Sequence, residues 1–97
     1  MRVMLKVRTD TEKTNDVIRN GTMTKRIQEA VEQITPEAAH FTSEKGRRTA
    51  SMFFDVEDSS QMPVISEPFL THLGAEVSCA PVMNLEDVRK GLAQLER

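Results

Sequence analysis

Apolar and polar residues alternate from the start of the chain. Over residues 2–8, Val3, Leu5 and Val7 share one side, and Arg2, Met4, Lys6 and Arg8 share the other, which is the period of a half-buried strand. The period then changes. Thr9 and Glu12 have capping-box spacing and Asp10 or Thr11 serves equally as N-cap, so a short helix is expected from about residue 11 to Asn20-Gly21. Beyond Thr22, a natural N-cap, Met23, Ile27, Ala30, Val31 and Ile34 recur at helical spacing until Pro36 ends the run. A second strand is expected over 37–43 and a third over 48–56, joined as a hairpin through the polar Ser43-Glu44-Lys45-Gly46. A helix over about 62–73 follows, carrying Ile65, Phe69 and Leu73 on one side, with Pro68 expected to kink or split it and Gly74 to stop it. Strand four is expected over 75–82, with Pro81 marking its end or an edge bulge. Asn84 then caps a last helix with Leu85, Val88, Leu92 and Leu95 in one stripe.

This order, βαββαβ plus a closing helix, predicts an α+β, ferredoxin-like domain spanning residues 1–97. With strands one and three central, right-handed crossovers give a four-stranded antiparallel sheet of order 4-1-3-2 with the helices on one face. The covered face is expected to take Val3, Leu5, Val7, Ala39, Phe41, Met52, Phe54, Val77 and Cys79. The other face then holds Met4, Lys6, Arg8, Ala38, His40, Thr42, Ser51, Phe53, Glu76, Ser78 and Ala80. That mixture is too polar for a second core and too apolar for a solvated surface, so the sheet is expected to meet a copy of itself in a homodimer.

Composition narrows the partners. Thirteen Lys and Arg against 15 Asp and Glu give a formal charge of −2, so neither nucleic acid nor an anionic membrane is an expected partner. Cys79, the single cysteine, has no second thiol for a disulfide, metal or redox pair. With no apolar leader among the first residues, the reading is a cytoplasmic protein. No Walker or dinucleotide glycine pattern, paired-cysteine loop or aromatic RNA-recognition run occurs, and neither a cofactor nor a metal is expected.

The order of elements, the run Arg48-Thr-Ala-Ser-Met-Phe-Phe-Asp-Val-Glu-Asp58 and the ending Ala75-Glu-Val-Ser-Cys-Ala-Pro-Val-Met83 resemble a family of small bacterial proteins of unknown function. That family lies in the dimeric α+β barrel superfamily, which includes muconolactone isomerases and cofactor-free antibiotic-biosynthesis monooxygenases. The resemblance implies a homodimer with its two sheets face to face, and a small cavity between sheet and helices where family enzymes bind a ligand. It carries over no catalytic residue.

From the residues themselves, His40 is the one candidate acid or base, set on the open face near Ser51 and Phe53. Lys6, Ser51, Phe53 and Glu76 are the candidate ligand-binding residues, with Lys6 and Glu76 on adjacent strands as a possible ion pair; the same residues read equally as dimer contacts. His72 reads as structural at a helix end. Cys79 reads as a small buried apolar residue. Lys45, Arg47 and Arg48 read as a solvated basic patch at the hairpin tip. Two functions are therefore expected from different classes. One is a small-molecule-binding protein or cofactor-independent enzyme, and the other is a non-catalytic homodimeric regulatory or interaction module.

Overall fold

The computed structural model describes residues 1–96. Its elements are β1 (Arg2–Arg8), α1 (Thr11–Arg19), α2 (Met23–Ile34), β2 (Ala38–Glu44), β3 (Arg47–Asp55), α3 (Gln61–Leu73), β4 (Glu76–Pro81) and α4 (Leu85–Ala93). The four strands form one antiparallel sheet of order β2-β3-β1-β4. That order is compatible with the expected 4-1-3-2 when read from the opposite edge. The fold is α+β, in an arrangement compatible with a ferredoxin-like domain.

Local chemistry explains the boundaries. Asp10 is the N-cap of α1, its side chain accepting from Lys13 N–H at 3.0 Å. Thr22 precedes α2 but does not cap it through its side chain; its hydroxyl donates instead to Asn20 Oδ1 at 2.6 Å. α2 ends with Thr35 in the left-handed region, φ 46°, before Pro36, which disfavours helical geometry in the residue ahead of it. The β2–β3 hairpin closes through Lys45 and Gly46, with φ of 53° and 75°. Two positive-φ residues between paired Glu44 and Arg47 are the signature of the turn whose twist matches the strands. α3 runs through Pro68 as one helix and stops at left-handed Gly74.

Register decides what each face carries. Leu5 lies opposite Met52 and Cys79, and Val7 opposite Ala50 and Val77, so these side chains share the helix-covered side. There Val3, Leu5, Val7, Met52 and Phe54 are buried with Val17 of α1, Ile34 of α2 and Phe69 and Leu73 of α3.

The alternation is as expected, but two burial expectations fail. Phe41 lies on the covered side yet is 58% exposed, because α2 does not reach down onto β2. Cys79 also lies on the covered side and is exposed. β4 is an edge strand there, and beside the thiol stands Met62 of α3, its sulfur 3.8 Å away. That partial cover pushes the Cys79 thiol above its ordinary pKa through desolvation. An exposed thiol with a raised pKa reacts slowly but needs no unfolding. Maleimide labelling of the native protein near neutral pH should therefore proceed within about tenfold of its rate in denaturant. Protection of a thousandfold or more would place the thiol under α3 after all.

Candidate functional site between a helix and the sheet

α2, the second helix of the first crossover, leaves a gap beneath it. α1 is anchored by buried Thr14 and Val17, and α2 by Ile34. Between those anchors the sheet presents Ala39 and Ala50, which are too small to reach the helix. The result is a cavity of about 460 Å³ between α2 and the β2–β3 side of the sheet. Its floor is Val7, Ala50 and Met52, and its roof is Met23, Ile27, Ala30 and Val31 of α2. Ile18 of α1 and Phe69 and Leu73 of α3 close one side, and Phe41 forms the open lip. Thr9 and Arg48 stand on the same side of the sheet at one end. Arg48 is the one charged residue in the lining, exposed and held by a 2.9 Å bond from its guanidinium to Asn15 Oδ1. The volume falls within the roughly 300–1,000 Å³ of small-molecule sites, and the lining matches them in being apolar with a few polar groups at one end.

The opposite face carries the residues singled out in the sequence. His40 is exposed and lies directly opposite Ser51, and Phe53 lies opposite both Met4 and Ala38. Lys6 does not pair with Glu76: register puts Lys6 opposite Ser78 and Arg8 opposite Glu76. Lys6 Nζ donates to Glu44 at 3.1 Å, Arg8 reaches Glu44 at 3.6 Å and Glu76 at 3.5 Å, and Arg47 reaches Glu76 at 3.1 Å. One chain of ion pairs thus joins all four strands. The hydrogen bond from Lys6, aided by the nearby charges of Lys6 and Arg8, holds the Glu44 carboxyl below its ordinary pKa. A shallow depression of about 330 Å³ lies beside this network, lined by Lys6, Arg8, Glu76, Val77 and Ser78.

The α2 cavity and the candidate base are therefore on opposite sides of the sheet. His40, Ser51, Phe53, Lys6 and Glu76 do not line the α2 cavity. Conversely, Met23, Ile27 and Val31 were legible as an apolar stripe, though not as the wall of an unfilled space. Arg48 was legible only as part of a basic hairpin tip. The pair Ala39 and Ala50, small residues on the covered face of neighbouring strands, was the available sign of a gap. Among the described residues no cluster of His, Cys, Asp and Glu is arranged to hold a metal ion. Among the same described residues no helix is long and apolar enough to cross a membrane. No protein-family model matches this chain, and no curated protein is significantly similar to it.

Proposed function

We propose that this protein binds a small, largely apolar molecule carrying a single anionic group, with the apolar part between α2 and the sheet and the anion at Arg48. The observation that carries this reading is the cavity of about 460 Å³, lined almost wholly by hydrocarbon and thioether side chains, with one guanidinium at its end. Apolar burial supplies the affinity, at about 25 cal/mol per Å² removed from water. A charge-assisted bond to Arg48 supplies orientation. Arg48 keeps its accessible end because Asn15 holds it without neutralising it. The lining contains no histidine, carboxylate or thiol, so the reading is one of binding, with no reaction assigned to it.

A second reading, a homodimeric interaction module using the open sheet face, is favoured by Met4 and Phe53, which sit opposite one another at the centre of that face. The ion pairs of Lys6, Arg8, Glu44 and Glu76 are grouped toward one end of it. On this reading His40 is a contact residue, and on an enzymatic one it remains the candidate base.

Calorimetric titration with decanoate, an aliphatic chain bearing one carboxylate, tests the first reading. Micromolar to submillimolar binding is expected. Arg48→Gln should weaken it roughly tenfold, the effect of losing one hydrogen bond to a charged group, while decanol should bind the two proteins equally. Absence of binding at millimolar decanoate, or an Arg48→Gln protein indistinguishable from the parent, would sink the proposal.

A further inference from the structure

α4 is a well-specified helix with nothing to pack against. Asn84 accepts from Asp87 N–H at 2.9 Å, and Asp87 accepts from Asn84 N–H at 3.1 Å, closing a capping box. Leu85, Val88, Leu92 and Leu95 nevertheless lie open to solvent, Leu92 at 52% and Leu95 at 79%, and no residue of the helix is buried. The molecule is drawn out to 59 × 28 × 18 Å, and its radius of gyration of 15.8 Å exceeds the ~12.5 Å of a compact chain of this length. A nine-residue helix is marginal in water by itself and depends on packing its apolar face.

The same chain carries a concave apolar surface without an occupant. Beside the cavity, and sharing Ile27, Val31 and Phe41 with it, a trough of about 360 Å³ runs between α2 and β2, floored by Ala39. Glu32 is the one charged residue lining it. α4 carries Arg89 at the flank of its apolar stripe, with Lys90 on the far side, so a helix seated in the trough brings the Arg89 cation toward Glu32.

A chain cannot easily fill its own trough. α4 leaves the sheet at β4, and the trough lies at β2, the opposite edge, three strand spacings or about 14 Å away. The connection is only 82–84, and Val82 N–H is tied to Arg2 O at 3.1 Å. α1 and α3 occupy the covered side in between.

We propose that α4 of one copy seats its stripe in the α2–β2 trough of a second copy, reciprocally, making a twofold dimer. Each copy then supplies a helix and receives one, which closes the symmetry without open edges. The docked helix also covers the exposed ring of Phe41, the lip of the cavity. The docking holds whether or not the cavity is filled.

Sedimentation equilibrium at 10 to 100 µM (about the range in which modest dimers are populated) tests it on the full chain. The parent protein should be a dimer. Leu92→Glu on the helix and Phe41→Glu at the trough should each raise the dimer dissociation constant at least about thirtyfold, as central interface residues do. Both positions are exposed in the single chain, so circular dichroism and thermal unfolding at low concentration should be unchanged. If Phe41→Glu fails to fold, Glu32→Lys, at an exposed position of the same trough, probes it instead. Mixing the two variants should give a heterodimer, because one intact helix meets one intact trough. A monomeric parent, a variant that dimerises like the parent, or a mixture that stays monomeric overturns the proposal. Decanoate binding measured on the Leu92→Glu monomer separates this outcome from failure of the ligand reading.

Discussion

Leu5→Ala is expected to lower the unfolding free energy by about 2 to 5 kcal/mol, the cost of deleting a buried leucine side chain and leaving part of its space empty. Leu5 is fully buried on a central strand, opposite Met52 on one side and Cys79 on the other. Met52 is flexible enough to relax into part of the space, which favours the lower half of that range. Against the roughly 5–15 kcal/mol that stabilises a typical domain, the loss is large. The neighbour Lys6 points to the other face and pairs with Glu44 at partly exposed positions, so Lys6→Ala should cost no more than about 1 kcal/mol. Urea unfolding of the two variants reads the alternation directly. Equal losses, or a larger one at Lys6, would mean that the register of β1 is shifted by one residue.

The second large effect falls on the cavity floor. Ala50→Phe is expected to abolish decanoate binding while raising stability by about 0.5 to 2 kcal/mol, the usual gain from filling an existing space. Ala50 is half-buried, opposite Val7 on β1 and Phe41 on β2, and its side chain points toward α2. A ring at that position occupies volume that is empty between helix and sheet, without displacing a packed neighbour. The combination matters, because a variant that lost binding by distorting the fold would also lose stability. Calorimetry and urea unfolding on one preparation check both halves. Retained binding with unchanged affinity would show that the ligand does not enter this space.

How much of this was legible in the sequence depended on the physics of each feature. Strict alternation in 2–8 and 48–56 fixed which side chains share a face, since a side chain can point only one way or the other at each position. Asn84 ahead of an apolar stripe announced α4, because a cap is a local contact; the reciprocal bond from Asp87 came with the structure. Phe41 and Cys79 show the limit. Their side of the sheet was correct, but burial depends on how far the covering helices extend. α2 stops short of β2, and Cys79 stands at the sheet edge beside Met62 of α3, where the cover is partial. The stripe Met23, Ile27, Ala30, Val31 looked like core for the same reason: periodicity reports that a helix has an apolar side, and does not report the distance to what it faces. Lys6 was assigned to Glu76 by adjacency of strands. The actual pairing with Glu44 follows from a register that places Arg8, and not Lys6, opposite Glu76.

If the space between α2 and the sheet is the ligand site, amide chemical shifts followed through a decanoate titration will map to it. Saturable shifts are expected at Ile27, Ala30, Val31, Phe41, Ala50 and Met52, with Arg48 and Asn15 moving at the carboxylate end. Met4, His40, Ser51, Phe53 and Ser78 should stay still. Shifts confined to that second group would place the ligand on the open face of the sheet and contradict that assignment.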